Sequence, residues 1–153
     1  MKIFVDADSC PAQARELVLR TAARTGIQAV FAANRPIPGI AGKNAVMELC
    51  PPGEGAADNR IVELAQKGDL ALTRDIPLAS RLVEKGIMAL DDRGGVYTAE
   101  NIKERLSLRN FTVALAENGM GIERTANYGK KELKMFADSL DRTLTRLMRI
   151  NTN

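Results

Sequence analysis

The chain has no histidine and no tryptophan, and only two cysteines. Without histidine it lacks the commonest general base and proton shuttle and every zinc site that needs an imidazole. Cys10 and Cys50 match no zinc or redox spacing, so we expect reduced thiols of a cytoplasmic protein. Aromatic residues make up 4% of the chain. Base-stacking platforms for single-stranded nucleic acid are therefore scarce.

Long apolar runs are also missing. No stretch approaches the ~18 apolar residues that a membrane span needs, and Asp6 and Asp8 interrupt the N-terminal apolar run. We therefore expect neither a secretory segment nor a membrane partner. The 153 residues, 45% hydrophobic and 27% charged, have the composition of one soluble globular domain spanning 1–153.

The net charge of +3 is unevenly placed along the chain. Residues 1–100 carry 12 basic and 13 acidic side chains, whereas residues 101–153 carry 10 basic and 6 acidic. A basic C-terminal part on a body with acidic groups suits a polyanionic partner that needs a metal ion. A merely solvated helix accounts for the same excess equally well.

Short apolar runs alternate with amphipathic helical segments. The runs cover 2–6, 27–33, 45–49, 69–73 and 87–90, and the helical patterns cover 11–24, 56–67, 76–85, 98–108 and 130–149. This alternation predicts a three-layer α/β fold in which a mostly parallel five-stranded sheet has helices on both faces.

The C-terminal part is predicted to be a helical extension. Residues 118–129 are rich in glycine and asparagine and are predicted to form a mobile loop before the helix 130–149. This helix carries an apolar stripe formed by Met135, Phe136, Leu140, Leu144 and Leu147. Such a stripe is typical of core packing or of an interface in a homo-oligomer.

Acidic side chains follow the predicted strands. They are Asp6 and Asp8 after the first strand, Asp58 in the helix after the third, Asp75 after the fourth, and Asp91 and Asp92 after the fifth. Parallel strands end at one edge of the sheet, where open α/β folds bind their ligands. Asp69 precedes its strand and is predicted to lie at the opposite edge. Crowded carboxylates repel one another unless a cation relieves them, and Mg²⁺ or Mn²⁺ prefers carboxylate oxygens.

The acids that follow Asp6 also have a purely structural interpretation. Asp8-Ser9, Asp58 and Asp75 each precede or begin a predicted helix, where Asp and Ser are favoured N-caps. Residues 91–95, Asp-Asp-Arg-Gly-Gly, have the composition of a surface turn. Taken singly, Asp8, Asp58 and Asp75 are better explained by a cap than by catalysis, and a turn explains residues 91–95 as well as a site does. Only the convergence of several acids favours a site.

Four other side chains near the same edge are candidates for substrate binding. Ser9 and Thr73 could bind phosphate or a metal-bridging water, or act as a cap and a strand-end hydroxyl. Arg74 and Arg93 could contact phosphates, or only solvent. Cys10 lies beside carboxylates that disfavour its thiolate, so we do not expect it to act as a nucleophile.

Several ordered motifs resemble a known family. They are Asp-Ala-Asp-Ser-Cys-Pro at 6–11, Gly-Ala-Ala-Asp-Asn-Arg-Ile-Val at 55–62, Thr-Arg-Asp-Ile-Pro-Leu-Ala at 73–79, Lys85-Gly86, Arg93-Gly94 with Tyr97-Thr98, and Asn101-Ile102. Over residues 1 to about 110 the chain resembles the YaiI/YqxD family of uncharacterised bacterial proteins. That family is similar to PIN-like and NYN nuclease domains.

The resemblance implies a PIN-like fold with an acidic cluster that binds one or two divalent cations and hydrolyses phosphodiesters. It matches Asp6 and Asp8 to the first-strand acids, Asp58 to the helix acid and Asp75 to the acid after the fourth strand. Asp91 or Asp92 would match the last acid. These correspondences are implied by the resemblance alone.

Our leading hypothesis is a metal-dependent nuclease that acts on RNA rather than DNA. Asp6, Asp58 and Asp75 would hold Mg²⁺ or Mn²⁺ directly or through water, with Asp8 in support and Asp92 as a further ligand. One alternative is a phosphatase of the haloacid-dehalogenase kind, with Asp6 as nucleophile and Asp8 as acid/base. Another is a non-catalytic nucleic-acid-binding protein.

Overall fold

The computed structural model describes residues 1–119 and 127–151. The strands are β1 (Lys2–Asp6), β2 (Gln28–Ala33), β3 (Ala45–Leu49), β4 (Leu70–Leu72), β5 (Met88–Leu90) and β6 (Val96–Tyr97). The helices are α1 (Ala12–Thr25), α2 (Ala56–Leu64), α3 (Ile76–Glu84), α4 (Ile102–Glu117) and α5 (Lys130–Asn151). Most of the predicted mobile loop, 120–126, lies outside the described residues, so that prediction stays a prediction.

The strands form one mixed sheet in the order β3-β2-β1-β4-β5-β6. The first five strands pair in parallel, and β6 pairs antiparallel with β5. The prediction of a five-stranded sheet was wrong, because the sheet has a sixth strand, β6. The Asp91 N–H donates to the Gly95 carbonyl at 2.9 Å in the turn that reverses the chain into β6. A strand of two residues is too short to leave a periodic pattern in the sequence.

Helices cover both faces of the sheet. Alternate side chains of β1 point to opposite faces, so Ile3 and Val5 pack with α1 and α5, whereas Phe4 packs with α2 and α3. Complete burial of such side chains stabilises the fold by roughly 1.5–3 kcal/mol each. The α/β prediction with helices on both faces is confirmed.

The apolar stripe of α5 is part of this core. Four of its five predicted members are buried, namely Phe136, Leu140, Leu144 and Leu147. Met135 is 46% exposed and lies outside the buried stripe. Core packing therefore accounts for the stripe. No helix of the described ranges is long and apolar enough to cross a membrane.

The fourth helix begins later and extends further than predicted. Thr98 and Asn101 exchange hydrogen bonds, from Thr98 N–H to Asn101 Oδ1 at 2.9 Å and from Asn101 N–H to Thr98 Oγ1 at 3.1 Å. This reciprocal pair precedes the first helical residue, Ile102, and α4 then continues to Glu117. No glycine or proline interrupts the chain between Ile102 and Asn118, so the stop predicted at Leu108 has no physical cause.

Candidate active site

The acidic residues lie where the strand order of the sheet changes direction. From β1 the chain adds β2 and β3 on one side, and from β4 it adds β5 and β6 on the other. The crevice outside the carboxyl ends of the strands at such a switch point is the usual ligand site of open α/β sheets. Asp6 is the last residue of β1, and Thr73 directly follows β4. We call this edge of the sheet the carboxyl edge.

Asp6 is anchored by two hydroxyl groups. Asp6 Oδ2 accepts hydrogen bonds from Thr73 Oγ1 at 2.9 Å and from Ser9 Oγ at 3.0 Å. The side chain is buried, and this burial raises the pKa of Asp6, with the Asp75 and Asp8 carboxylates adding to the rise. The two hydroxyls oppose the rise because they stabilise the ionised form. Hydrogen bonds therefore fix the Asp6 carboxylate in place, and the negative charges of Asp75 and Asp8 surround it; we call this charged environment the negative field.

Asp58 belongs to the same negative field. It is half-buried in the first turn of α2, and its pKa is raised to about 6, first by burial and then by the Asp6 and Asp75 carboxylates. Arg81 opposes this shift only in part. The N-cap position of α2 is Gly55, which makes no side-chain capping bond. Capping therefore does not explain Asp58.

Asp75, by contrast, does cap a helix. Asp75 Oδ1 accepts a hydrogen bond from the Leu78 N–H at 3.0 Å at the start of α3. Its own N–H donates to Thr73 Oγ1 at 2.9 Å, so the residue is tied to the group that anchors Asp6. The capping interpretation is confirmed for Asp75. It leaves the negative charge in place beside Asp6 and Asp58.

Asp8 is exposed and engaged by the segment after β2. Its carboxylate accepts hydrogen bonds from the Asn34 N–H and from Arg35 Nε, both at 3.3 Å. The N-cap position of α1 is Pro11, without a side-chain capping bond, so neither Asp8 nor Ser9 caps that helix. Asp8 acts on Asp6 and Asp58 through its charge, which raises the pKa of both.

Asp91 and Asp92 have separate roles. Asp91 Oδ1 accepts hydrogen bonds from the N–H groups of Arg93 and Gly95, each at 2.8 Å, so Asp91 closes the predicted turn. Asp92 is buried, pairs with Arg74, and has its pKa raised by burial. Of the two, only Asp92 also borders the cavity beside Asp6.

A small cavity lies beside Asp6. Asp6, Ser9, Cys10, Thr73, Arg74 and Asp92 contribute to its wall, and Phe136 of α5 also lines it. Its volume of about 10 Å³ leaves space for about one water molecule. Burial, with the Asp92 and Asp6 charges, raises the pKa of the Cys10 thiol to about 12, so a nucleophilic thiolate is disfavoured.

A larger groove of about 290 Å³ opens on the other side of the Arg74–Asp92 ion pair. Arg74, Arg93, Arg105, Asp91, Asp92 and Tyr97 line it, and we call it the arginine groove. Sequence reasoning missed Arg105, because its position depends on how α4 packs. Tyr97 was noted only in a family motif. Its hydroxyl donates to the Thr73 carbonyl at 3.0 Å and so supports the strand end that carries the site.

Asp69 lies at the far edge of the sheet. Its carboxylate accepts hydrogen bonds from the N–H groups of Lys2, at the start of β1, and Gln66, both at 2.9 Å. The exclusion of Asp69 from the predicted site therefore agrees with its position.

The acidic side chains of the described residues do not form a closed set of ligands around one cation. Within residues 1–119 and 127–151, no three carboxylate or thiol side chains are grouped closely enough to hold one ion. The available donors are oxygens, and the charges of Asp6 and Asp75 raise the pKa of Asp58. Mg²⁺ keeps several of its waters in proteins and suits such a donor set. Shared binding by Asp6, Asp58 and Asp75 stays a prediction.

Comparison with known proteins identifies relatives along the whole chain. A family model described as uncharacterised, YaiI/YqxD family, matches residues 4–146. A UPF0178 protein of Treponema pallidum is 49% identical over 150 residues, covering 98% of this chain and 85% of the relative. One from Syntrophobacter fumaroxidans is 46% identical over 156 residues, covering 100% of both. No solved structure matches the chain. The chain belongs to the YaiI/YqxD family.

Proposed function

We propose that this protein is a divalent-metal-dependent nuclease of PIN-like type that hydrolyses RNA phosphodiesters at the carboxyl edge. The observation that carries the proposal is the link between Asp6 and Asp75 through Thr73, at the switch point between β1 and β4. Asp58 adds a third carboxylate to the same negative field. Several carboxylates kept at one edge are costly for stability alone, which favours a role in binding a cation.

Each acidic residue has a distinct task in this proposal. Asp6, Asp58 and Asp75 hold Mg²⁺ or Mn²⁺, mainly through its water ligands, and Asp8 adds negative charge nearby. Ser9 and Thr73 fix the Asp6 carboxylate, whose Oδ2 accepts hydrogen bonds from both hydroxyls. When bound, the cation supplies a lowered water pKa and stabilises negative charge on the phosphate oxygens. The absence of histidine suits this chemistry because no separate general base is needed.

Two arginines near the carboxyl edge support a polyanionic substrate. Arg74 and Arg93 line the groove that opens beside the Arg74–Asp92 ion pair. As a separate point, the free thiols of Cys10 and Cys50 support the proposal of a reducing, cytoplasmic setting.

The structure offers less to a haloacid-dehalogenase-like phosphatase. That chemistry needs Asp8 as an acid/base beside the nucleophile Asp6. The Asp8 carboxylate instead accepts hydrogen bonds from Asn34 and Arg35. The phosphatase mechanism would also give Asp58 and Asp75 no role.

The direct test is cleavage of labelled RNA and DNA pools by the purified full chain with Mg²⁺ or Mn²⁺. Asp58→Asn should abolish cleavage, because it removes a charge that would hold the ion and caps no helix. Asp141→Asn, an exposed position on α5, is the matched control and should cleave like the wild type. A phosphatase would tolerate Asp58→Asn and release phosphate from monoesters. A wild type that retains RNA on a filter without cutting it would be a binding protein.

A further inference from the structure

The arginine groove contains more positive charge than its own carboxylates neutralise. Asp92 pairs with Arg74, and Asp91 pairs with Arg105 through Nη2 at 2.8 Å. Arg93 is the third cation of the groove. Its guanidinium makes no hydrogen bond or ion pair with any residue in the described part of the chain. Among the described residues, the groove lining therefore has one more arginine than aspartate, and the Glu132 carboxylate of α5 is a further acidic group within electrostatic range of Arg93.

Arg74 and Arg105 are oriented by their ion pairs but keep unused N–H donors. Arg105 lies over the Tyr97 ring at 4.2 Å from the ring centroid, which adds a cation–π contact to its ion pair with Asp91. An arginine carries five N–H donors in a rigid fork. The bonds to the groove carboxylates use one nitrogen each of Arg74 and Arg105. Both can still donate to an anion, and their orientation is already fixed.

The groove is continuous with the proposed catalytic centre. Arg74 and Asp92 line both the groove and the small cavity that Asp6 borders. A ligand in the groove would therefore lie against the Arg74–Asp92 ion pair that also borders the Asp6 cavity. An anion so close to carboxylates is stable only where arginines screen it, which is the arrangement found here.

We propose that the arginine groove is a subsite for a backbone phosphate of RNA, bound by Arg93 and Arg105 next to the phosphate that is cleaved. This inference rests on the proposed nuclease function for its substrate class. Planar guanidinium groups match the phosphate oxygens in pairs, and Arg93 supplies the unbalanced charge. Asp91 is a positioning residue here, because it holds Arg105 and the turn that carries Arg93.

The test measures RNA binding without cleavage. Fluorescence anisotropy of a short labelled single-stranded RNA, in EDTA, compares the wild type with Arg93→Gln and Arg105→Gln. Arg24→Gln, at the exposed end of α1 by the opposite edge, is the charge-matched control. A hydrogen bond to a charged group is worth about 1.5–3 kcal/mol, so Arg93→Gln should weaken binding about tenfold or more. The slope of log K against log salt concentration should become shallower by about 0.7 for each phosphate that the variant no longer neutralises.

A second variant separates phosphate recognition from a failure to fold. Arg105→Lys keeps the positive charge that pairs with Asp91 but not the planar fork, so it should weaken RNA binding while the thermal unfolding temperature stays near that of the wild type. Inorganic phosphate at matched ionic strength is the competitor. If phosphate displaces RNA as effectively as unlabelled RNA does, the occupant is a small phosphate and the polynucleotide assignment is wrong.

The subsite and the nuclease proposal fail in different ways. Weakened RNA binding by Arg93→Gln, together with a wild type that never cleaves, supports the subsite and rejects the nuclease. Cleavage by the wild type, with Arg93→Gln binding RNA as tightly as Arg24→Gln, rejects the subsite and leaves the nuclease. A wild type that binds no RNA in EDTA rejects the subsite.

Discussion

Thr73 donates a hydrogen bond from its hydroxyl to the Asp6 carboxylate at 2.9 Å, across the boundary between β4 and β1. The same hydroxyl accepts the N–H of Asp75 at 2.9 Å. One side chain thus connects the last residue of β1 to the cap of α3. The hydroxyl also favours the ionised form of Asp6, which burial alone would disfavour.

Thr73→Val tests this connection because valine has nearly the same shape and no hydroxyl. It leaves the buried Asp6 carboxylate without one partner and the Asp75 N–H without another, at a cost of about 1–3 kcal/mol. The melting temperature should fall by roughly 2–4 °C for each kcal/mol. The pKa of Asp6 should rise further, so the acidic limb of the pH–rate profile should move to higher pH. Thr73→Ser keeps the hydroxyl, so it should change the melting temperature and the pH–rate profile less than Thr73→Val does. An unchanged profile for Thr73→Val would show that the bond does not tune Asp6.

The raised pKa of Asp58 makes stability depend on pH. Its pKa is 3.8 in the unfolded reference and about 6 in the folded protein, so the folded state binds this proton more tightly. The stabilisation is fully present below pH 3.8 and is lost as the pH rises through about 6. In metal-free buffer, Asp58→Asn should therefore melt higher than the wild type at pH 7.5, and this difference should vanish near pH 4. Because Asp58 is only half-buried, we expect a difference on the order of 1 kcal/mol after solvent screening.

Calorimetric or fluorescence melting across this pH range checks the Asp58 prediction. Asp141→Asn is again the control, since its exposed carboxylate should give a curve parallel to that of the wild type. A higher wild-type melting temperature than that of Asp58→Asn at pH 7.5 would contradict the repulsion described here.

Asp75 combines a structural and a proposed catalytic task, and two substitutions separate them. Asn is as good an N-cap as Asp, so Asp75→Asn should keep the bond to the Leu78 N–H while removing the charge. We expect little loss of stability and complete loss of cleavage. Asp75→Ala removes the cap as well and should cost a further ~0.5–2 kcal/mol by thermal unfolding. If Asp75→Asn cleaves RNA like the wild type, the residue is only a cap.

Much of the fold could be predicted from the sequence because its signals are local. Apolar runs, helix-ending glycines and the order of elements give β1 to β5 and their helices without tertiary information. The antiparallel strand β6 could not be predicted, since two residues have no period. Its pairing depends on the turn that Asp91 closes.

The sequence predicts at which edge of the sheet the site lies, but not the role of each acidic residue. Parallel strands end together, so the sequence places Asp6 and Asp75 at the same edge, as the structure does. Which acid does what depends on packing: Asp91 closes a turn, Asp92 pairs with Arg74, and Asp8 is engaged by Arg35. The Asp91 turn is local and was predicted from the composition of 91–95, whereas the Asp92–Arg74 and Asp8–Arg35 pairs join residues 18 and 27 positions apart and leave no local pattern.

The last prediction concerns the cation itself. If Asp6 and Asp58 hold Mn²⁺, the ion should stabilise the folded protein by about 2.7 kcal/mol at a concentration of 100 Kd. For a chain of this size that is a rise in melting temperature of roughly 5–10 °C. Bound cations need ionised ligands, so the rise should shrink as the pH falls through about 6, the pKa of Asp58. Asp6→Asn and Asp58→Asn should each lose most of the rise, whereas Asp141→Asn should keep it. An equal Mn²⁺ effect on all four proteins would place the ion elsewhere and remove the basis of the proposed nuclease.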